Sequence, residues 1–402
     1  MILKLSYDPI LNFEQIMKFD VAIVGAGPAG SWLARELAKN NISVVLFERS
    51  PVIGEPNFSS AGSPAYTVER FRLPPASVAA RWDILRINGP TTTFSWRYDT
   101  PIGVVFDFRE LKVLLLKEAE KMGAIIKLGS TVENVKILND YSEIYVKSEK
   151  EAYRAKVVVD ASGPSGVIAT RLGMRKAIPI KPSVGLEIIA ETPQAPIDVF
   201  RTLDFYFGRV WVPHGYGWIF PMMKPCVKIG VGVFQLARYG GGPRLEDFLN
   251  ELIKRVPYLS GHHIVETHGG MLYGMGIRHH VFKNVIAIGD AADQVNPLGG
   301  EGIRHALQSA EFARDVILDA IAKNDLARLE QYDIRWRKYI GWRWWKCRIL
   351  AQFFYHHFSD SMHDNFVRAV SKITAQEIFD ALFEYKIWPS IHARLFKRHT
   401  GY

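Results

Sequence analysis

The fold is decided near the start of the chain by the stretch Asp20-Val-Ala-Ile-Val-Gly-Ala-Gly-Pro-Ala-Gly30. Its apolar first half predicts a buried β-strand, and its glycines predict a tight turn that opens a helix. In such a turn Gly25 permits the bend, Gly27 lets the backbone approach a pyrophosphate, and Gly30 lets the helix lie against the strand. The phosphates then meet free N–H groups at a helix N-terminus. The stretch therefore predicts a dinucleotide-binding unit.

The residues that follow strengthen this interpretation. The amphipathic run 31–39 predicts the helix, and the apolar run 42–48 predicts a second strand. Glu48 ends that strand, where such a unit places a carboxylate on the ribose hydroxyls. The alternative is a glycine turn that only connects a strand to a helix.

Length and composition restrict the class of protein. A chain of 402 residues has room for a nucleotide-binding domain and a second domain inserted into it. Cys226 and Cys347 are the two cysteines and lack the spacing of a zinc or iron–sulfur site, so we expect no metal site and no disulfide. No apolar run is long enough to span a bilayer, and no secretion signal is recognisable. We therefore expect a cytoplasmic protein that is soluble or peripheral at a membrane surface.

The positive charge is concentrated in the C-terminal region. The net charge is +9, and residues 331–402 carry 12 Lys and Arg against 6 Asp and Glu. These charges alternate with aromatic residues, as in Arg335-Trp-Arg-Lys-Tyr-Ile-Gly-Trp-Arg-Trp-Trp-Lys346, and no nucleic-acid module is recognisable. Cationic and aromatic residues together suit a peripheral membrane contact or an anionic lipid better than nucleic acid. The alternative is a solvated basic face whose aromatic residues pack on the core.

The rest of the chain predicts a nucleotide-binding pattern interrupted by a sheet. A helix is predicted over 108–122, and short strands over 124–159. Four strands of a separate antiparallel sheet are predicted within 180–235, followed by a helix over 244–255. The nucleotide-binding pattern then returns with one strand over 281–290, which ends in Gly-Asp, and a long helix over 303–324.

Three separated pieces resemble one family. The glycine turn, Arg109 at the start of a helix, and Gly289-Asp-Ala-Ala-Asp-Gln-Val-Asn-Pro-Leu-Gly-Gly-Glu-Gly-Ile303 together resemble the FAD-binding flavoprotein fold of aromatic hydroxylases and geranylgeranyl reductases. Pro213-His-Gly-Tyr-Gly-Trp-Ile-Phe-Pro221, with Gly230-Val-Gly232 after it, is similar to the Tyr-x-Trp-x-Phe-Pro…Gly-x-Gly motif of the geranylgeranyl reductases. Unlike many members, the chain has no cysteine within 54–63, so no thiol role beside the flavin is expected.

The resemblance implies an α/β fold: an FAD-binding Rossmann-like domain with an inserted antiparallel β-sheet substrate domain and a helical C-terminal region. The expected division is a peripheral leader (1–16), an FAD-binding domain (17–178 and 270–330), a substrate domain (179–269) and a basic aromatic region (331–402). Asp290 is expected to bind a ribitol hydroxyl, and the amides at 299–303 the pyrimidine edge of the flavin. The full set of expected FAD contacts is Gly25, Gly27, Ala29, Gly30, Glu48, Arg49, Ser60, Ala61, Gly62, Arg109, Val132, Asp160, Gly163, Asp290, Pro297, Gly299, Gly300, Gly302 and Ile303.

The resemblance also implies an activity, the hydrogenation of double bonds in an isoprenoid lipid. Tyr216, Trp218 and Phe220 are the expected catalytic residues, since period-2 spacing on a strand puts them on one face, where they can shield a developing carbocation. The same spacing also fits an aromatic stripe in a sheet core. The proton donor is unassigned between Tyr216 and a bound water, and the expected electron donor is ferredoxin or NAD(P)H.

Other functions share the scaffold. A flavin monooxygenase or halogenase would use oxygen, although halogenases carry Trp-x-Trp-x-Ile-Pro at the aromatic motif. A quinone-linked electron-transfer flavoprotein would suit the basic aromatic region, but two isolated cysteines cannot supply a cluster. A non-catalytic flavoprotein is the remaining alternative.

Overall fold

The computed structural model describes residues 17–147, 149–175, 182–234, 244–272, 277 and 279–386. The predicted leader, 1–16, and the end of the predicted C-terminal region, 387–402, lie outside these residues. The strands are β1 (Lys18–Val24), β2 (Val44–Phe47), β3 (Gly62–Pro64), β4 (Val78–Trp82), β5 (Ile84–Asn88), β6 (Thr93–Arg97), β7 (Gly103–Phe106), β8 (Ile125–Lys127), β9 (Val132–Ile137), β10 (Ser142–Val146), β11 (Tyr153–Asp160), β12 (Ser183–Glu191), β13 (Thr202–Phe207), β14 (Gly215–Pro221), β15 (Cys226–Val233), β16 (His263–Leu272), β17 (Val281–Phe282) and β18 (Val285–Ala287). The α-helices are α1 (Pro28–Lys39), α2 (Tyr66–Arg70), α3 (Phe108–Lys121), α4 (Val167–Arg171), α5 (Leu245–Arg255), α6 (Ile303–Lys323), α7 (Gln331–His356), α8 (Asp360–Val370) and α9 (Ala375–Phe383).

The first sheet holds the predicted nucleotide-binding unit. Its strands run in the order β17-β18-β11-β1-β2-β8, and β1 pairs in parallel with β2 and β11. Helix α1 packs between α3 and α6 on this sheet, so β1 is covered and its run Val21–Val24 is buried, as its continuous apolar sequence predicts. A Cβ on Gly30 would lie 2.0 Å from the carbonyl oxygen of Gly25, so only glycine permits this approach of helix to turn. The predicted strand–turn–helix–strand unit is confirmed.

One predicted strand of this sheet is wrong in detail. The run 281–290 is two short antiparallel strands, β17 and β18, and Gly289–Ala292 form a 3₁₀ turn. The break falls at Lys283, whose φ is +53°, and at Asn284. Asn284 is buried, donates to the carbonyl of Lys156 and accepts from the hydroxyl of Ser142, so a polar side chain interrupts the apolar run to tie the hairpin to neighbouring strands.

The second sheet contains the four strands predicted within 180–235 and three more. Its order is β16-β12-β15-β14-β13-β5-β6, and all pairs are antiparallel except β13 with β5. Two of the added strands, β5 and β6, come from the stretch assigned to the nucleotide-binding domain, and β16 crosses the predicted boundary at 269/270. The fold class is confirmed, whereas the division into domains stays a prediction.

The two faces of the second sheet pack differently. One face is aliphatic and packs on α5 through Phe248, Leu249 and Leu252. The other face is aromatic and packs on α7, α8 and α9, which together form the predicted helical C-terminal region. Within α7 the chain kinks at Gly341, whose φ is +50° and ψ −141°. Among the residues described, no helix combines the length and apolar character needed to cross a membrane.

Candidate functional site

A cavity of about 980 Å³ is lined by the glycine turn, the Gly289 region and the second sheet. Both halves of the predicted cofactor site therefore reach one space, although more than two hundred residues separate them in sequence. The predicted cofactor residues in the lining are Gly25, Gly27, Ala29, Glu48, Arg49, Ser60, Val132, Gly163, Asp290, Gly300, Gly302 and Ile303. From the predicted catalytic set, Tyr216 and Trp218 also line it.

The glycine turn leaves room for a phosphate. Gly25 has a φ of +107°, and a Cβ there would lie 2.3 Å from the carbonyl oxygen of Ala161. At Gly27 a Cβ would meet no atom within 4 Å, because this residue borders the cavity. Gly27 is also the N-cap of α1, and no side chain caps the first N–H groups of that helix. These groups fit the pyrophosphate of a dinucleotide.

Glu48 holds the turn in place. One carboxylate oxygen accepts from the N–H of Ala26 at 2.8 Å, and the other accepts from the N–H of Ser50 at 2.9 Å. The carboxylate fixes the glycine turn and the following loop while it borders the cavity. Its contact with a ribose stays a prediction.

Asp290 presents a carboxylate at the far end of the cavity. A Cβ on Gly302 would lie 3.6 Å from its Oδ1. Burial raises the pKa of Asp290 to about 6, although the charge of Arg175 lowers it. The Arg175 guanidinium donates to the backbone carbonyls of Asp290 and Ala291 and lies 3.3 Å from Asp293, whose pKa burial also raises to about 6. A hydroxyl donor from a ligand would relieve the cost of ionising Asp290.

Arg109 does not line the cavity. Its guanidinium pairs with Glu55 at 2.7 Å and with Glu266 at 2.8 Å, which turns it towards the solvent side of the loop. Lys112, one turn later on α3, lines the cavity instead and donates to the carbonyl of Pro56. Burial lowers the pKa of Lys112 to about 8. Sequence reasoning missed Lys112, although its i+3 spacing from Arg109 places it on the same side of the helix.

Asp160 supports the cavity wall without bordering it. It is fully buried, and its carboxylate accepts from the N–H groups of Ser162, Ile168 and Ala169 and from the hydroxyl of Ser162. It therefore shapes the turn that carries Gly163 and fixes the start of α4.

The other predicted cofactor residues outside the lining are structural neighbours of it. Gly62 underlies Phe220, since a Cβ there would lie 3.3 Å from that ring. Ala61 precedes Gly62 with a φ of +56°. The carbonyl of Gly299 accepts from the Tyr216 hydroxyl at 2.8 Å. Gly30 and Pro297 complete this set, Gly30 in the contact of α1 with the turn and Pro297 in the buried loop before Gly299.

The predicted aromatic stripe exists. The ring centroids of Tyr216 and Trp218 are 5.6 Å apart, and those of Trp218 and Phe220 are 6.4 Å apart. Tyr216 and Trp218 border the cavity, whereas Phe220 packs on Phe205 and Gly62 behind it. Burial raises the pKa of the Tyr216 hydroxyl, which is already engaged as a donor to Gly299.

Sequence reasoning missed that three glycines adjoin on the same sheet. Gly185 lies between Gly270 and Gly232 in the strand register, and all three line the cavity. The ring of Phe58 covers Gly270, where a Cβ would lie 1.9 Å from it. The signal was present as Gly269-Gly270 and the Gly-x-Gly motif, but pairing of strands far apart in sequence was needed to show that these glycines adjoin.

Metal ligands are not grouped in this region. Nowhere in the described ranges do three or more His, Cys, Asp and Glu side chains come together in a way that could hold a metal ion. Two histidines contact residues elsewhere in the chain: His280 contacts Asp333, and His356 contacts His214.

Solved structures share this fold. A geranylgeranyl bacteriochlorophyll reductase-like protein from Thermoplasma acidophilum superposes with a TM-score of 0.84 at 22% identity, over 95% of this chain and 99% of that one. The halogenase PltM, solved with phloroglucinol and FAD, superposes with a TM-score of 0.69 at 17% identity, over 88% of this chain and 79% of that one. At these identities the likeness establishes the FAD-binding flavoprotein fold alone.

Curated relatives with similar sequences indicate the family more closely than the solved structures do. Digeranylgeranylglycerophospholipid reductase 3 of Methanosphaera stadtmanae is 27% identical over 370 residues, 89% of this chain and 91% of the relative. A digeranylgeranylglycerophospholipid reductase of Methanocaldococcus jannaschii is 29% identical over 332 residues, 80% of this chain and 82% of the relative. The predicted resemblance to geranylgeranyl reductases is confirmed. The sequence also matches a family described as lycopene cyclase protein over residues 20–369, and because this match spans most of the chain, the protein belongs to that family.

Proposed function

We propose that the protein is an FAD-dependent reductase that hydrogenates double bonds of geranylgeranyl-type isoprenoid chains. The observation that carries this proposal is that the aromatic pair Tyr216 and Trp218 opens onto the same cavity as the glycine turn and Asp290. The names of the relatives from Methanosphaera stadtmanae and Methanocaldococcus jannaschii support the substrate class. The electron donor, ferredoxin or NAD(P)H, stays a prediction from the family.

The lining supplies groups for the pyrophosphate, a ribose, the ribitol and the flavin ring of FAD. The backbone N–H groups of Gly27 and Ala29 suit the pyrophosphate, Glu48 suits the ribose beside it, and Asp290 suits the ribitol. The N-terminus of α6 at Ile303, with Gly302 as its N-cap, favours negative charge on the flavin ring. When bound and reduced, the flavin supplies a hydride.

The chain's own residues prepare the site for a cationic transition state. An isolated alkene accepts a hydride only with help, so protonation with developing positive charge is expected, and the faces of Trp218 and Tyr216 can stabilise that charge. Their burial keeps bulk water away from it. The Tyr216 hydroxyl donates its hydrogen bond to Gly299, so Tyr216 would have to release that bond to act as the proton donor. Tyr216 and a bound water both stay candidates for this donor.

The flavin spectrum tests this proposal. The protein is loaded with FAD, reduced anaerobically and mixed with a lipid that carries geranylgeranyl chains. We expect the oxidised flavin absorbance to return, and to return more slowly in Trp218→Ala with FAD retained. A flavin that stays reduced in the presence of the lipid, but transfers one atom of O₂ to an aromatic substrate and the other to water, would instead identify a monooxygenase.

We also infer that helix α7 makes a peripheral contact with an anionic membrane. After the kink, Trp342 is 71% exposed, Trp345 is 49% exposed and Phe353 is 56% exposed. Helical spacing puts these three on one side, opposite the buried Cys347 and Ala351. The helix carries six Lys and Arg against one Asp. Lys346 follows on the same side of the helix, and Arg343 and Arg348 flank it. Among the described residues no ion pair involves these three cations, so exposed aromatic rings and cations lie together after the kink.

Vesicle sedimentation tests the membrane contact. We expect the protein to bind vesicles that contain phosphatidylglycerol, less so at high salt, and to lose most of this binding when Trp342→Ser and Trp345→Ser are combined. Met223→Ser is a matched control, because Met223 is 76% exposed on another surface. Equal binding by the double variant would place the membrane contact elsewhere, and absent binding by the unaltered protein would exclude it.

A further inference from the structure

A row of residues crosses the second sheet beneath the aromatic pair. In the strand register His268 pairs with Glu187, Glu187 with Gly230, and Gly230 with Trp218. Directly paired residues project from the same face of a sheet. Four neighbouring strands therefore present one continuous row, and its last member borders the cavity.

Glu187 holds the indole of Trp218 across this row. The carboxylate is fully buried, and one oxygen accepts from the indole Nε1 at 2.6 Å. Its other oxygen lies 2.9 Å from His268 Nε2 and 4.0 Å from the Nζ of the buried Lys228. Lys228 also donates to the carbonyl of Ser59, so the cluster is tied to the cavity loop.

Gly230 makes that contact geometrically feasible. A Cβ at Gly230 would lie 2.2 Å from Cζ2 and 2.8 Å from Nε1 of Trp218, so the indole crosses the strand where it has no side chain. Gly232 forms the next part of this floor, with a Cβ position 3.3 Å from Cζ3. The Gly-x-Gly motif is thus the surface on which the indole of Trp218 lies flat.

A carboxylate buried in a sheet costs free energy, because its charge is removed from water. It requires partners, and replacing such a polar cluster by apolar residues is often neutral or stabilising. The shortest hydrogen bond of Glu187 runs to Trp218, the residue of the row that borders the cavity, so we attribute the retention of this buried carboxylate to that bond. Without this acceptor the indole has no described polar partner and can turn about its side-chain bonds.

We propose that Glu187 is a positioning residue that fixes the indole of Trp218 on the glycine floor, so that the ring face meets the reacting part of the isoprenoid chain. This inference rests on the proposed reductase function. A displacement of about 1 Å in such a group can lower a rate by about a hundredfold. The contribution of Glu187 is therefore expected in kcat and to depend on Trp218.

The variants separate the hydrogen bond from the rest of the residue. Glu187→Gln retains an acceptor for the indole, Glu187→Leu removes it, and Trp218→Phe removes the donor. Gly230→Ala displaces the indole while leaving the carboxylate intact, which covers the case that Glu187→Leu fails to fold. Glu191→Gln and Glu191→Leu are matched controls, since Glu191 is exposed at the end of the same strand.

Two readouts are taken on the FAD-loaded protein. Labelling its ten tryptophans with 5-fluorotryptophan gives fluorine resonances, and Trp218→Phe assigns one to Trp218. Glu187→Leu should shift that resonance and lower kcat by about tenfold or more with KM and bound FAD little changed. Glu187→Gln should restore most of the rate, and adding Glu187→Leu to Trp218→Phe should cause no further loss.

The outcomes separate the two proposals. An unmoved Trp218 resonance, additive losses in the double variant, or no rescue by Glu187→Gln would overturn the role of Glu187. If the wild-type protein reduces no prenyl lipid while the resonance shifts in Glu187→Leu, the reductase function falls, but the anchoring of the indole stands.

Discussion

Single residues around the cavity carry charge where burial makes charge costly. Asp290 and Asp293 both have a pKa raised to about 6, and Arg175 is the cation beside them. Sequence motifs predicted Asp290 because it stands at a fixed place after a strand. They did not predict Arg175 or Glu187, because each acts through contacts with residues far along the chain, whose proximity only the folded structure shows.

Replacing Asp290 tests the cost of its burial. Its pKa is raised in the folded state, so its carboxyl favours folding at low pH, and this contribution is lost as the pH rises from about 4 to about 6. Asp290→Asn removes the cost of ionisation and should stabilise the FAD-free protein by about 1–3 kcal/mol at neutral pH, and by less near pH 4.5. Thermal unfolding at the two pH values measures this difference.

The same variant should retain FAD less well, because the proposed site would lose the charged acceptor expected to bind the ribitol. Asp290→Asn would contradict this account if it destabilised the FAD-free protein equally at both pH values, since the buried charge would then not be the cause.

The sequence predicted helices and turns correctly where contacts between neighbouring residues determine them. The glycine turn, α3 and α6 were predicted close to their observed bounds, and the side chain of Asp107 caps the start of α3. The hairpin of β17 and β18 was not, because the apolar run hides a turn that Asn284 fixes through strands more than a hundred residues away.

The turn after β11 provides a test at this scale. Asp160→Ala removes a carboxylate that accepts four hydrogen bonds and leaves the buried N–H groups of Ile168 and Ala169 without their acceptor. We expect the free energy of unfolding to fall by about 2–4 kcal/mol in denaturant titrations. Asp140→Ala, at an exposed turn, should change it by less than about 0.5 kcal/mol. Equal effects of the two substitutions would show that the buried hydrogen bonds do not support this turn.

Contacts between residues far apart in sequence connect the second sheet, helix α7 and the cavity, and local sequence patterns do not predict these contacts. The second sheet recruits β5 and β6 from the early chain, with Phe205 paired to Ile87 across more than a hundred residues. The hydroxyls of Tyr216 and Tyr355 both donate to the loop at Leu298 and Gly299, which ties the sheet and α7 to the far end of the cavity. The sequence predicted a discontinuous cofactor site and a sheet beside it, whereas the partners of each strand required the fold.

The central claim, alkene reduction in this cavity, is tested most directly by the mass of the lipid. A geranylgeranyl lipid is incubated anaerobically with the FAD-loaded, reduced protein, and its mass is then measured by mass spectrometry. We expect the mass of the lipid to rise in units of two hydrogens, and to rise less with Trp218→Ala although FAD is retained. A lipid of unchanged mass, or a gain of one oxygen only when air is admitted, would contradict it.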